Sequence, residues 1–173
     1  MPLSEPAERE LLHLRDIELR GYRRADGLFD VEAGLTDTKS YAFENRDRGE
    51  IRPGTPLHRM LARMTLGEDM VIRSFEAATE FAPYLVCPAA APNFSALAGL
   101  RVGPGFLKAA NARVGGVMGC THLRELLQQM ATVAFQTAAF LRRAPRAAGA
   151  RPALLNSCLA YAEGGEVARR AGA

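Results

Sequence analysis

The spacing of apolar positions changes period along the chain, and the change divides it into a sheet-forming half and a helical half. From Ile17 onward, IELRGYRR and LFDVEAGLTDT alternate on either side of Ala25-Asp26-Gly27. An Asp-Gly pair between two such runs predicts a β-hairpin. In its second arm Val31, Ala33 and Leu35 share one face, while Asp30, Glu32 and Thr36 share the other. Asp37 and Lys39 continue the apolar side, either at the strand end or as an inward-facing pair. A charged connection over 45–56, with Pro53-Gly54 as a turn, leads to a second hairpin. Its arms are LHRMLARMTL and MVIRSFEAATEF, joined by Gly67-Glu68-Asp69. Alternation sets His58, Met60, Ala62 and Met64 on one face of the first arm. Pro83 ends the second arm, and Cys87 follows directly before Pro88.

Beyond Cys87 the pattern becomes helical. Asn93–Leu100 and Phe106–Val114 are short candidate helices separated by Gly103-Pro104-Gly105. The strongest helix opens after Gly119-Cys120, with Thr121 as the expected N-cap. Leu123, Leu126, Leu127, Met130, Ala134, Ala138 and Leu141 recur at helical spacing and predict a buried stripe. Ala7–Leu14 would add at most a helical turn. The expected architecture is α+β, with a small antiparallel sheet from two hairpins packed against C-terminal helices. Residues 1–144 form the domain, with the first hairpin as an N-terminal extension, and 145–173 form a mobile linker and tail. A short hairpin around Gly164-Gly165 is an option for that tail.

Composition narrows the function classes. A chain of 173 residues buries roughly 70% of its unfolded surface and holds a core without disulfides. Its 22 basic residues, 20 of them Arg, face 19 acidic ones, for a formal net charge of +3. That balance generates no strong field for nucleic acid. MPLSEPAERELLH lacks an apolar leader core, and no run of 18 apolar residues occurs, so neither secretion nor membrane spanning is expected. Three Cys without a leader argue against a disulfide framework and for a reducing cytoplasm.

The candidate chemistry lies in the placement of Cys and His. Cys120 precedes a helix N-terminus, where free amides and the helix dipole favour the thiolate, the form that binds metals or attacks electrophiles. His122 and Glu125, three residues apart, face the same side. An antiparallel hairpin brings the start of one arm and the end of the next to one end of the sheet, so His58 and Cys87 are expected there together. A long helix starting at that end would add Cys120. His58, Cys87, Cys120 and His122 are thus the expected ligands of a divalent metal, zinc favoured and iron an alternative. The competing reading is a core His with unrelated apolar Cys residues. Glu125, His122 and Tyr84 are the candidate proton-transfer groups, although Tyr84 also reads as structural. Asp26, Asp30, Glu32, Asp37 and Lys39 could wall the site, but solvated strand faces and turns account for most of them. His13 reads as a polar N-terminal residue outside the site, and Cys158 stays unassigned.

These motifs resemble a bacterial family known as a domain of unknown function. They are Gly21-Tyr22-Arg23-Arg24 with Asp26-Gly27, Asp30-Val31-Glu32-Ala33, Asp37-Thr38-Lys39, Pro53-Gly54 leading to His58-Arg59-Met60, Pro83-Tyr84 leading to Cys87, and Cys120 to Leu127. The resemblance spans about residues 13–140. Arg59 stands where the family often has Asp, and Cys158 is similar to a Cys in the family's tail. The chain also distantly resembles iron–sulfur cluster scaffold proteins, with Cys87 and Cys120 similar to the second and third scaffold cysteines and His58 at the first. That resemblance implies an IscU-like topology, with ligands for zinc or a cluster at an exposed end of the sheet.

Three functions fit the sequence. One is a mononuclear metal site supporting lyase, hydratase or hydrolase chemistry on a small molecule, in a monomer or homo-oligomer. A second is a non-enzymatic carrier of metal, sulfur or a cluster. The third is an interaction module with a structural metal.

Overall fold

The computed structural model describes residues 3–139 and 155–170. Its main unit, 1–140, is built on a four-stranded antiparallel sheet of β1 (His13–Arg23), β2 (Phe29–Lys39), β5 (His58–Leu66) and β6 (Ile72–Phe81), in the order β1-β2-β5-β6. Between β2 and β5, β3 (Phe43–Asn45) and β4 (Gly49–Ile51) form a separate small hairpin. A 3₁₀ segment (Cys87–Leu97), α1 (Phe106–Val114) and α2 (Thr121–Thr137) follow. The α+β class read from the sequence is the observed one. Among the described residues no helix is long and apolar enough to cross a membrane.

Register gives the sheet its organisation. The turn at Asp26-Gly27 pairs Arg15 with Asp37, Ile17 with Leu35 and Leu19 with Ala33. The β2–β5 register then aligns Asp37 with His58, Leu35 with Met60 and Ala33 with Ala62. Successive inward rows are therefore Arg15–Asp37–His58, Ile17–Leu35–Met60 and Leu19–Ala33–Ala62. The apolar rows bury against Leu123, Leu126, Leu127 and Met130 of α2, so the predicted helical stripe is the sheet's cover; Leu141 of that stripe lies outside the described residues. Gly21 permits the close approach at one end of α2. A Cβ there would lie 1.8 Å from Thr137 Oγ1. From His122 to Thr137 the helix advances about 22 Å, close to the ~20 Å that β1 covers between Arg15 and Gly21. The helix N-terminus is thereby carried to the polar end of the sheet.

Several local expectations differ from the structure. Residues 7–12 form no helical turn, and β1 already begins at His13. The connection over 45–56 contains most of the β3–β4 hairpin, whose turn is closed by Asn45 Oδ1 accepting from the Asp47 and Arg48 amides at 3.0 and 3.1 Å. Three-residue strands are too short to display alternation. The helix expected over Asn93–Leu100 is instead 3₁₀ from Cys87 to Leu97, with Pro88 near its start and Pro92 inside; proline removes the amides an α-helix requires. Cys120, not Thr121, holds the N-cap position of α2, with no side-chain capping bond.

A second unit spans 141–173. Its described part has a 3₁₀ turn (Leu159–Tyr161) and α3 (Glu166–Arg170), where a hairpin around Gly164-Gly165 was an option. The linker expected near 145–152 lies outside the described residues.

Leu126 is fully buried between helix and sheet, whereas Leu85 is exposed. Leu126→Ala is expected to cost about 2–5 kcal/mol in urea unfolding, and Leu85→Ala to stay within about 0.5 kcal/mol. Equal effects would contradict this core.

Candidate metal centre

At the polar end of the sheet one carboxylate gathers four cationic or imidazole side chains. Arg15 grips Asp37 in a two-pronged pair, Nε to Oδ1 at 2.7 Å and Nη2 to Oδ2 at 2.8 Å. His58 Nδ1 donates to Asp37 Oδ2 at 3.0 Å. His13 Nε2 lies 3.2 Å from Oδ1, and His122 Nε2 lies 3.6 Å from Oδ2. The His58 and His122 rings face each other, with centroids 3.8 Å apart. Arg15 also donates through Nη1 to Glu125 Oε2 at 2.5 Å. Cys120 Sγ is 3.9 Å from His122 Nδ1.

Each position has a structural cause. Arg15, Asp37 and His58 are cross-strand neighbours in three adjacent strands. His122 and Glu125 project from the first turns of α2 towards this row. Gly119 lets the chain enter that helix: its backbone is extended, and a Cβ would sit 1.8 Å from the Val114 carbonyl oxygen. The glycine thus serves a close backbone approach and leaves Cys120 extended at the N-cap.

The electrostatics of the groups are interdependent. Burial pushes the Asp37 carboxyl up, but the Arg15 hydrogen bonds and charge, with His58 and His13, outweigh it and hold the carboxyl below its ordinary value. Burial, then the neighbouring His122, lowers His58 despite the Asp37 contact. The hydrogen bond with Cys120 raises His122 against the effect of its own burial. Burial also pushes the Cys120 thiol up, yet His122 and the Leu123 and His122 amides hold it below its ordinary value.

A ring nitrogen from each of His58 and His122 and a carboxylate oxygen of Asp37 lie within 4.8 Å of one another, a candidate metal-binding group. Of the residues singled out from sequence, His58 and His122 meet here, Cys120 stands beside His122, and Glu125 joins through Arg15. Cys87 makes no hydrogen bond or ion pair with them; it opens the 3₁₀ segment, its amide bonded to the Tyr84 carbonyl. Tyr84 itself is exposed. One expectation needs correction: His13 is not outside the site but touches Asp37. Of the alternatives open for Asp37, the structure shows the inward-facing one, since it is buried. Arg15 carried no signal as a lone residue. The hairpin centred on Asp26-Gly27 does pair it with Asp37, and odd-numbered positions of β1 share the face of Ile17 and Leu19.

Because Asp37 titrates below its ordinary 3.8 in the folded chain, its ionised form adds stability that is complete above the unfolded value and lost as pH falls through the folded one. Urea midpoints of the wild type are expected to fall more steeply below about pH 4 than those of Asp37→Asn, which lacks this titration. Parallel acid limbs would refute the assignment.

No curated protein and no solved structure matches the chain. One family model, described as Protein of unknown function (DUF2889), matches residues 13–136 and so takes in every residue of the cluster. The match covers well over half of the 173 residues, and the chain belongs to the DUF2889 family of proteins of unknown function.

Proposed function

We propose that the cluster is a mononuclear metal centre that supports lyase, hydratase or hydrolase chemistry on a small molecule. The observation that carries this reading is the convergence of His58, His122 and Asp37 ligand atoms within 4.8 Å. Cys120 Sγ lies 3.9 Å from His122 Nδ1, on the far side of the ring from the Nε2 that faces Asp37, so it would orient that imidazole rather than add a donor. Two imidazole nitrogens and a carboxylate oxygen suit zinc first and ferrous iron second. Such an ion would acidify a water or polarise a substrate carbonyl.

The chain's own residues have distinct tasks. Arg15 orients the Asp37 carboxylate by binding both oxygens and disperses its charge. It also fixes Glu125, whose exposed carboxylate is placed to accept or return a proton. His122, hydrogen-bonded to Cys120, is the other proton-transfer candidate when it is not a ligand. The candidate group is made of two imidazoles and a carboxylate with no thiolate among them, which favours small-molecule chemistry over a thiolate carrier of sulfur or clusters. Three free cysteines suit a reducing cytoplasm.

Metal analysis of purified protein is expected to give one equivalent per chain for the wild type and for Cys87→Ser. His58→Ala and His122→Ala should lose it, and Arg15→Met should weaken binding about 10- to 100-fold as an orienting residue does. Chelation should remove the metal while far-ultraviolet circular dichroism stays native, because the apolar rows and α2 need no ligand. Full metal content in both His variants would sink the proposal, and unfolding on chelation would favour a structural metal.

A further inference from the structure

The cluster is reached by solvent from one end. Exposure rises from 1% at Asp37 and 14% at His58 to 21% at His122, 31% at Arg15 and 38% at His13. The open end is therefore where β1 begins and β2 finishes. Lys39 is the last residue of β2, two positions beyond Asp37 on the same side of the strand, and its register partner is His13. It is half-buried, and its ammonium lies 5.8 Å from the centroid of the Tyr41 ring. Among the described residues no carboxylate lies within ion-pair distance of it. The exposed arginines of the sheet behave differently: Arg20, Arg59 and Arg63 each meet an acidic side chain. Lys39 is also one of only two lysines in the chain.

Lysine presents a compact, strongly hydrated point charge with three donors. A half-buried ammonium close to a dication is repelled by it, and an anion between the two removes the repulsion. With Asp37 and Glu125 already shared by Arg15, neither carboxylate of the cluster is left to supply that anion.

We infer that Lys39 is the anchor for a carboxylate of the substrate, and that the substrate class is a small anionic acid spanning Lys39 and the metal. This inference rests on the metal-centre reading. The Tyr41 ring lies against the ammonium and gives the entrance an apolar wall, while His13, the register partner of Lys39, borders the cluster through Asp37. The positive entrance also draws anions towards the centre.

The test uses Co²⁺-loaded full-length protein and malonate, with malonamide as the uncharged control. Malonate is expected to shift the visible Co²⁺ absorption of the wild type, and malonamide to leave it unchanged. Lys39→Met should take up Co²⁺ normally yet bind malonate about tenfold or more weakly, and Lys39→Arg should stay within about threefold of the wild type. Normal Co²⁺ uptake with equal malonate affinity in Lys39→Met, or with no malonate response in the wild type, overturns the role of Lys39 alone. Failure of the wild type to take up Co²⁺ overturns the metal centre, and this inference with it.

Discussion

A carboxylate removed from water costs several kcal/mol unless its charge and lone pairs are met, and Asp37 is 1% exposed. Its two oxygens are met by Arg15, His13 and His58, with His122 just beyond hydrogen-bond range. Those partners come from β1, β5 and α2, so one buried charge ties together three of the four sheet strands and the covering helix. Removing a single partner would leave the others arranged around a poorly compensated anion. The interaction therefore constrains the register of both neighbouring strand pairs as well as the site.

The apolar core makes that burial achievable. Inward rows from Ile17–Leu35–Met60 towards Gly21 are covered by α2, and the helix is located at both ends. At one end Gly21 admits Thr137; at the other His122 stacks against His58. Since strands and a long helix carry the functional side chains, their geometry is held by packing rather than by loops. Arg15 links the buried carboxylate to the exposed Glu125, giving a continuous charged path from the sheet interior to solvent.

The mutual pKa shifts have the same origin. His58 and His122 share the neighbourhood of one anion yet move in opposite directions, because burial dominates at His58 and the Cys120 contact dominates at His122.

The two long hairpins, the inward parity of His58 and the stripe of α2 are determined by sequence alone, since period-2 and period-3.6 patterns directly encode which side faces the core. The chemistry at Cys120 and His122 is legible too, because a glycine-preceded cysteine marks a helix entrance. The Arg15–Asp37 pair is recoverable from the Asp26-Gly27 turn, which sets the hairpin register. The alignment of Asp37 with His58 is not, because the β2–β5 connection is long and carries its own small hairpin. Nor does sequence distance distinguish Cys87 from Cys120; the placement of α2 sets Cys120 against His122, while Cys87 opens the 3₁₀ segment after Pro83. Local alternation specifies faces, whereas the choice of which polar residues share a buried charge depends on the register of distant strands and the direction of one helix. Only the tertiary structure supplies those.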